Sequence, residues 1–146
     1  MAINSDDLFE LAQRLSTCAD EASHRASISR AYYASYHQCI EWEKQLPSTS
    51  EINGIDKNSL GVHASLIRRL RHPDSRCSPK QTSLSISIGK RLDQLRKRRG
   101  RADYDIKLHI PHQLVEAQLA LARTLLDDCH ATCPPRGKVT RRKHRR

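Results

Sequence analysis

The residues of this chain best suited to chemistry stand in one run, Arg96-Lys-Arg-Arg-Gly-Arg101, followed at once by Ala102-Asp103-Tyr104-Asp105. Cations at this density repel one another, and a glycine such as Gly100 costs about 1 kcal/mol relative to alanine inside a helix. Neither feature favours folding. On a helix Asp103 falls four residues after Arg99, and Asp105 four after Arg101. Each carboxylate is thus placed to pair with one guanidinium, at about 0.3–0.5 kcal/mol per exposed pair. A solvated, self-neutralising helix end needs no more than this. A site would use the same groups differently. Arginine offsets charge that builds on a phosphoryl transition state. A phenol of pKa about 10 is a poor base near neutrality but donates a hydrogen bond to phosphate.

A second candidate pair lies upstream. Arg30 and His37 are seven residues apart, so on a helix they share a face at about 10.5 Å along the axis. Histidine is the usual general acid–base group, although a lone histidine beside tyrosine-rich core positions more often serves structure. At the far end Lys138-Val-Thr-Arg-Arg-Lys-His-Arg-Arg146 carries Arg141 and Arg142 without an aromatic residue. Such an arm tracks a phosphate backbone by counterion release and does not stack on bases. An acidic protein partner would suit it equally.

The elements that must position these groups read as helices. Ile28, Tyr32, Cys39 and Trp42 form one apolar stripe, and Ala26, Tyr33, Tyr36 and Ile40 a second beside it. A helix with two buried stripes needs neighbours on more than one side, which places this one at the centre of a bundle. It is expected to be capped by Ser23 and to run to Leu46, before Pro47. A first helix over 5–20 starts at Ser5 and turns Leu8, Leu11, Ala12 and Leu15 inward. Residues 47–58 read as a surface loop. Ser59 then caps a short helix bearing Leu60, Ala64, Ile67 and Leu70, ended by His72-Pro73. A long helix over 80–102 follows, with Leu84, Ile88, Leu92 and Leu95 inward. Its segment Ser83-Leu-Ser-Ile-Ser-Ile-Gly89 alternates with period two, but no partner strand is evident. Pro111 starts the last helix, with Leu114, Ala117, Leu119, Leu121 and Leu125 inward up to Ala131. The expected architecture is therefore all-α, an up-and-down bundle of about five helices. The domain covers 1–133 and a disordered basic tail covers 134–146.

Composition agrees with one modest core. The 146 residues are 37% hydrophobic and carry a formal charge of +10, with a mean hydropathy of −0.71. Seven of the 26 basic residues and none of the 16 acidic ones lie in 134–146, so the body is close to neutral. Five cysteines in odd number, with no Cys-x-x-Cys pair and no legible signal peptide, suggest a reducing cytoplasm. No apolar run is long enough to span a membrane. Cys129, His130 and Cys133 do not match a common closed zinc site. Neither metal nor cofactor is implied.

Two segments resemble a known family. Ser29-Arg-Ala-Tyr-Tyr-Ala-Ser-Tyr-His37 is similar to the second-helix signature of the HEPN superfamily, small helical domains of prokaryotic toxin–antitoxin and defence systems. Arg99-Gly-Arg-Ala-Asp-Tyr104 resembles the R-x-x-A-D-Y ending of one branch of it. The two lie in the expected order, and the resemblance spans roughly residues 5 to 130. It implies a cytoplasmic homodimer directed at RNA, and in many members a metal-independent ribonuclease. There an arginine and a histidine about four to six residues apart on one helix line a cleft between subunits. Here that histidine is missing, since Ala102, Asp103, Tyr104 and Asp105 fill its window and Tyr104 stands nearest to its place. The candidate catalytic set is Arg99, Tyr104, Asp103 and His37. Arg30, Arg96, Arg98, Arg101, Arg141 and Arg142 are the candidate RNA contacts. The alternative implied by the resemblance is a non-catalytic module paired with a nucleotidyltransferase, for which Tyr104 would be a substrate.

Overall fold

A computed structural model of the protein describes residues 2–47 and 61–132. In chain order its helices are α1 (Ser5–Ser16), α2 (Glu21–Glu43), α3 (Gly61–Arg71), α4 (Pro79–Tyr104) and α5 (His112–Thr132). No strand occurs among the described residues, so the all-α bundle is as expected. Most of the 47–58 loop, the Ser59 cap, Cys133 and the tail with Arg141 and Arg142 lie outside the described residues. No described helix is long and apolar enough to cross a membrane.

Short polar side chains set the helix starts. The Asn4 side chain accepts from the Asp7 backbone N–H at 2.9 Å, and the Asp7 carboxylate accepts from the Asn4 N–H at 2.8 Å. This reciprocal box satisfies two of the donors that a helix start leaves unpaired. Ser78 and Gln81 form the same arrangement at the start of α4, with Pro79 in its first turn. For α2 the expected cap is corrected. Asp20 caps it, and Ser23 is the third residue of the helix, donating its N–H to the Asp20 carboxylate at 2.9 Å. α1 and α2 end earlier than expected, at Ser16 and Glu43, and α5 starts one residue after Pro111.

α2 packs against all four other helices. Ile28, Tyr32, Cys39 and Trp42 are buried, and so is a further face of small residues, Ser27, Ala31, Ala34 and Ser35. Small side chains let α1 approach closely, where the Ser27 hydroxyl donates to the Ala12 carbonyl at 2.6 Å. The alternating segment of α4 has the same purpose. Ser85 donates to the Leu70 carbonyl at 2.6 Å. A Cβ on Gly89 would lie 2.8 Å from the Arg71 Cγ and 3.0 Å from the Leu70 Cβ. Ser85 and Gly89 are thus the small residues on the α3-facing side, one turn apart, whereas Ser83 and Ser87 are exposed.

Apolar faces of α1, α2 and α5 differ from expectation. Of the second stripe of α2 only Tyr36 is buried, and Ala26, Tyr33 and Ile40 are half-buried. In α1 the buried residues are Phe9 and Ala12, whereas Leu8, Leu11 and Leu15 are half-buried. The Arg123 guanidinium covers the Phe9 ring at 4.3 Å. In α5 Ala117 is exposed, and Val115, Gln118, Ala122, Leu125, Leu126 and Cys129 face inward. Gln118 donates to the Leu95 carbonyl at 3.0 Å and the Ile28 carbonyl at 3.4 Å, tying α5 to α4 and α2, while its Oε1 is buried without a partner.

Candidate functional site

One stripe of α2, formed by Arg25, Ser29, Tyr32, Tyr33 and Tyr36, meets the C-terminal end of α4. Helical spacing puts these residues on adjoining turns of one side. Arg25 makes the anchor. Its Nη1 donates to the carbonyls of Ala102 at 2.9 Å, Asp105 at 3.2 Å and Arg101 at 3.4 Å. Its Nη2 reaches the carbonyls of Ile106 and Leu108. Those of Ala102, Ile106 and Leu108 are carbonyls that a helix end and its following turn leave open, whereas those of Arg101 and Asp105 also accept from the Asp105 and Leu108 N–H groups. Glu21 orients the guanidinium at 3.0 Å, accepts from the Ile110 N–H at 3.2 Å and bonds His109 at 3.0 Å. Hydrogen bonds from Arg25, His109 and Ile110, in that order, hold its carboxyl below the usual glutamate range.

One turn further along α2, Ser29 donates to Asp103 at 3.2 Å. Asp103 also pairs with Arg99 at 3.5 Å, as the four-residue spacing predicts. The Arg99 guanidinium lies 5.3 Å from the centre of the Tyr32 ring, 5.8 Å from Tyr33 and 5.6 Å from Tyr104. Arg30 covers Tyr33 at 5.0 Å. The Arg99 side chain is only 12% exposed, and its Nε is buried without a hydrogen-bond partner. Burial works against its charge, but Tyr104, Tyr33 and Asp103 outweigh that effect and raise its pKa above the ordinary value. The two quoted segments therefore meet, with Arg99 between the tyrosines of one and Tyr104 of the other.

Beneath Arg99 the Tyr32 hydroxyl is bonded to Nδ1 of His63, from α3, at 2.7 Å. The His63 ring also packs 4.4 Å from that of Tyr36. Tyr32 is fully buried, and burial raises its phenol pKa despite opposition from Arg99 and Arg96. Burial lowers the His63 pKa, and Arg99, Arg96 and His37 lower it further. At pH 7 both groups are neutral.

The other candidates fall at varying distances from this centre. Arg96 is half-buried and acts electrostatically on both Tyr32 and His63. Arg98 has a buried Nη1 without a partner, and burial followed by repulsion from Arg101 lowers its pKa. Arg101 is exposed and forms no ion pair with Asp105, the cap residue, whose backbone (φ −98°, ψ 64°) has left the helical conformation. His37 is exposed and packs on Tyr36, with ring centres 5.3 Å apart. It lines a cleft of about 470 Å³ with Asn4, Ser5 and Leu8 at the start of α1. It is not brought against Arg99 or Tyr104.

Two residues escaped the sequence reading, Arg25 and His63. A signal existed for His63, which is four residues before Ile67 and seven before Leu70 on the inward face of α3. Arg25 stands one turn before Ser29, but its partners are backbone carbonyls, which leave no mark on side-chain patterns. Chemically, the arrangement offers cations and ring faces to an oxygen-rich anion, with the Tyr104 ring free to stack on a base. Among the described residues no group of three or more His, Cys, Asp or Glu is placed to hold a metal. No family model, curated protein or solved structure matches this chain.

Proposed function

We propose that this protein is a HEPN-like, RNA-directed component of a toxin–antitoxin or phage-defence system, acting as a homodimer. Arg99 offsets negative charge at a scissile phosphodiester, and Asp103 and Tyr104 hold its guanidinium in place. Arg30, Arg96, Arg98 and Arg101 supply affinity for the backbone, which the cationic tail extends in a salt-dependent way. The observation supporting this reading is the convergence of Tyr32, Tyr33, Arg99 and Tyr104, which separate parts of the sequence contribute to one cluster. The test is incubation of the purified chain with tRNA and structured RNA in EDTA, beside Arg99→Ala and Tyr104→Phe. Cleavage should fall about a hundredfold or more in Arg99→Ala, the scale of losing one charge-stabilising donor. Binding without cleavage would identify a non-catalytic module. Cleavage indifferent to Arg99 would sink the assignment.

One observation favours a second reading. Tyr104 is 78% exposed, and its phenol is accessible to a modifying enzyme as well as to RNA. With a nucleotidyltransferase partner, the Tyr104 phenol would lose its proton and attack the α-phosphate of a nucleoside triphosphate, accepting the nucleotidyl group as pyrophosphate leaves. Co-expression with such a partner and mass spectrometry of the tyrosine separates the two readings.

A further inference from the structure

We infer that His63 is a ligand contact of this site, meeting a phosphodiester oxygen through Nε2, the ring nitrogen opposite its bond to Tyr32. The inference rests on the RNA-directed reading and deepens it, because it gives the site a histidine from a helix that the quoted segments do not include.

The first step is the tautomer. The Tyr32 hydroxyl is 2.7 Å from Nδ1 and belongs to a fully buried side chain. A buried phenol stays protonated, and its O–H needs an acceptor. His63 is the hydrogen-bond partner of that hydroxyl, so the phenol donates and Nδ1 accepts. A neutral imidazole that accepts at Nδ1 carries its proton at Nε2. Nε2 is therefore an N–H donor, and it has no hydrogen-bond partner among the described residues.

The second step is the charge around that donor. From α4 the groups acting on it are Arg96 and Arg99, and from α2 His37, with Tyr32, Tyr33 and Tyr36 supplying rings. No carboxylate is among them. The nearby Asp103 is already engaged by Ser29 and Arg99. A neutral N–H donor beside two guanidinium groups is complemented by a ligand that brings both negative charge and several acceptor oxygens. A phosphodiester does so.

Proton linkage follows. The free site keeps His63 neutral, because burial and the arginines both disfavour a further positive charge. A bound phosphate offsets the arginines and accepts from Nε2, so it favours the imidazolium. Once His63 is protonated, Nδ1–H donates to the Tyr32 oxygen and Nε2–H to the ligand, while the Tyr32 O–H gives up its acceptor, a cost that the ligand's charge must exceed. Binding therefore strengthens as pH falls through the bound-state pKa of His63. It levels off below the free-state value, which is itself under the ordinary 6.5. The gain is about tenfold for each unit by which the ligand raises that pKa.

The test uses a 2′-O-methyl RNA oligonucleotide, which lacks the hydroxyl needed for self-cleavage. Anisotropy titrations at constant salt, from about pH 8 to about pH 5.5, compare the wild type with His63→Gln, and circular dichroism checks the fold of the variant. The expected result is about tenfold tighter wild-type binding at the acid end and a much flatter profile for the variant. Nitrogen NMR of the wild-type ring needs no variant and should show the proton on Nε2 in the free protein. Equal pH slopes in the two proteins, or a proton on Nδ1, overturn the inference while leaving RNA binding intact. An oligonucleotide that binds at no pH overturns the RNA-directed reading and this inference together.

Discussion

Arg25 and Arg99 reach into the same junction of α2 and α4 from opposite helices, and their side chains are nearly equally hidden, at 13% and 12% exposure. They differ in what their donors find. Arg25 commits its N–H groups to carbonyls at the end of α4 and to Glu21. Arg99 has three aromatic rings around it, with a hydrogen bond to Tyr104 among them, one long contact to Asp103 and a buried Nε without a partner. A guanidinium has five donors in a fixed fork. Saturated by the fold, it holds structure together; left short of acceptors, it is poised for a ligand. Burial alone does not separate the two cases. The count of unanswered donors does.

Substitutions can break or sharpen this contrast. Arg25→Ala should have the largest effect, a loss of about 2–4 kcal/mol in urea denaturation, because several carbonyls and Glu21 lose a charged partner together. A loss under about 1 kcal/mol would mean that water serves those carbonyls equally well. The two glycines of α4 extend the comparison to packing. Gly89→Ala presses a methyl group against Leu70 and Arg71 and should destabilise by about 1–3 kcal/mol. Gly100→Ala meets nothing within 4 Å and should instead stabilise by about 0.5–1 kcal/mol, read as a higher Tm. Arg99→Ala should matter least to folding. A change within about 1 kcal/mol is expected, since ring contacts of this kind contribute modestly and an under-bonded buried charge is removed with them. If Arg99→Ala unfolds the chain as Arg25→Ala does, the distinction between the two arginines fails.

How much of this was legible in the sequence depends on where each partner lies. The helices were readable because apolar residues recur at helical spacing, and the Arg99–Asp103 pair because both residues stand on one helix, four apart. Boundaries shifted where two residues competed for one duty, as with Asp20 and Ser23, both short polar side chains near the same turn. The buried faces of α1 and α5 were misread because leucine was weighted above position. Phe9 and Gln118 are inside because of the direction each points, and Gln118 also finds two carbonyls there. His63 joins Tyr32 across 31 residues of chain. Nothing local to either residue announces that meeting.

The Arg25 anchor has one more implication. Arg25, Ser29 and the Tyr32–Tyr33 pair are successive teeth on one side of α2, engaging in turn the end of α4, Asp103 and Arg99. Slippage of one helix past the other by a single turn would disengage all of them together. The aim of Arg99 is therefore set two turns away, at the Arg25 contact with the end of α4. On the proposed function, variants of Arg25 that still fold should bind RNA poorly, although the chemical groups of the site remain whole.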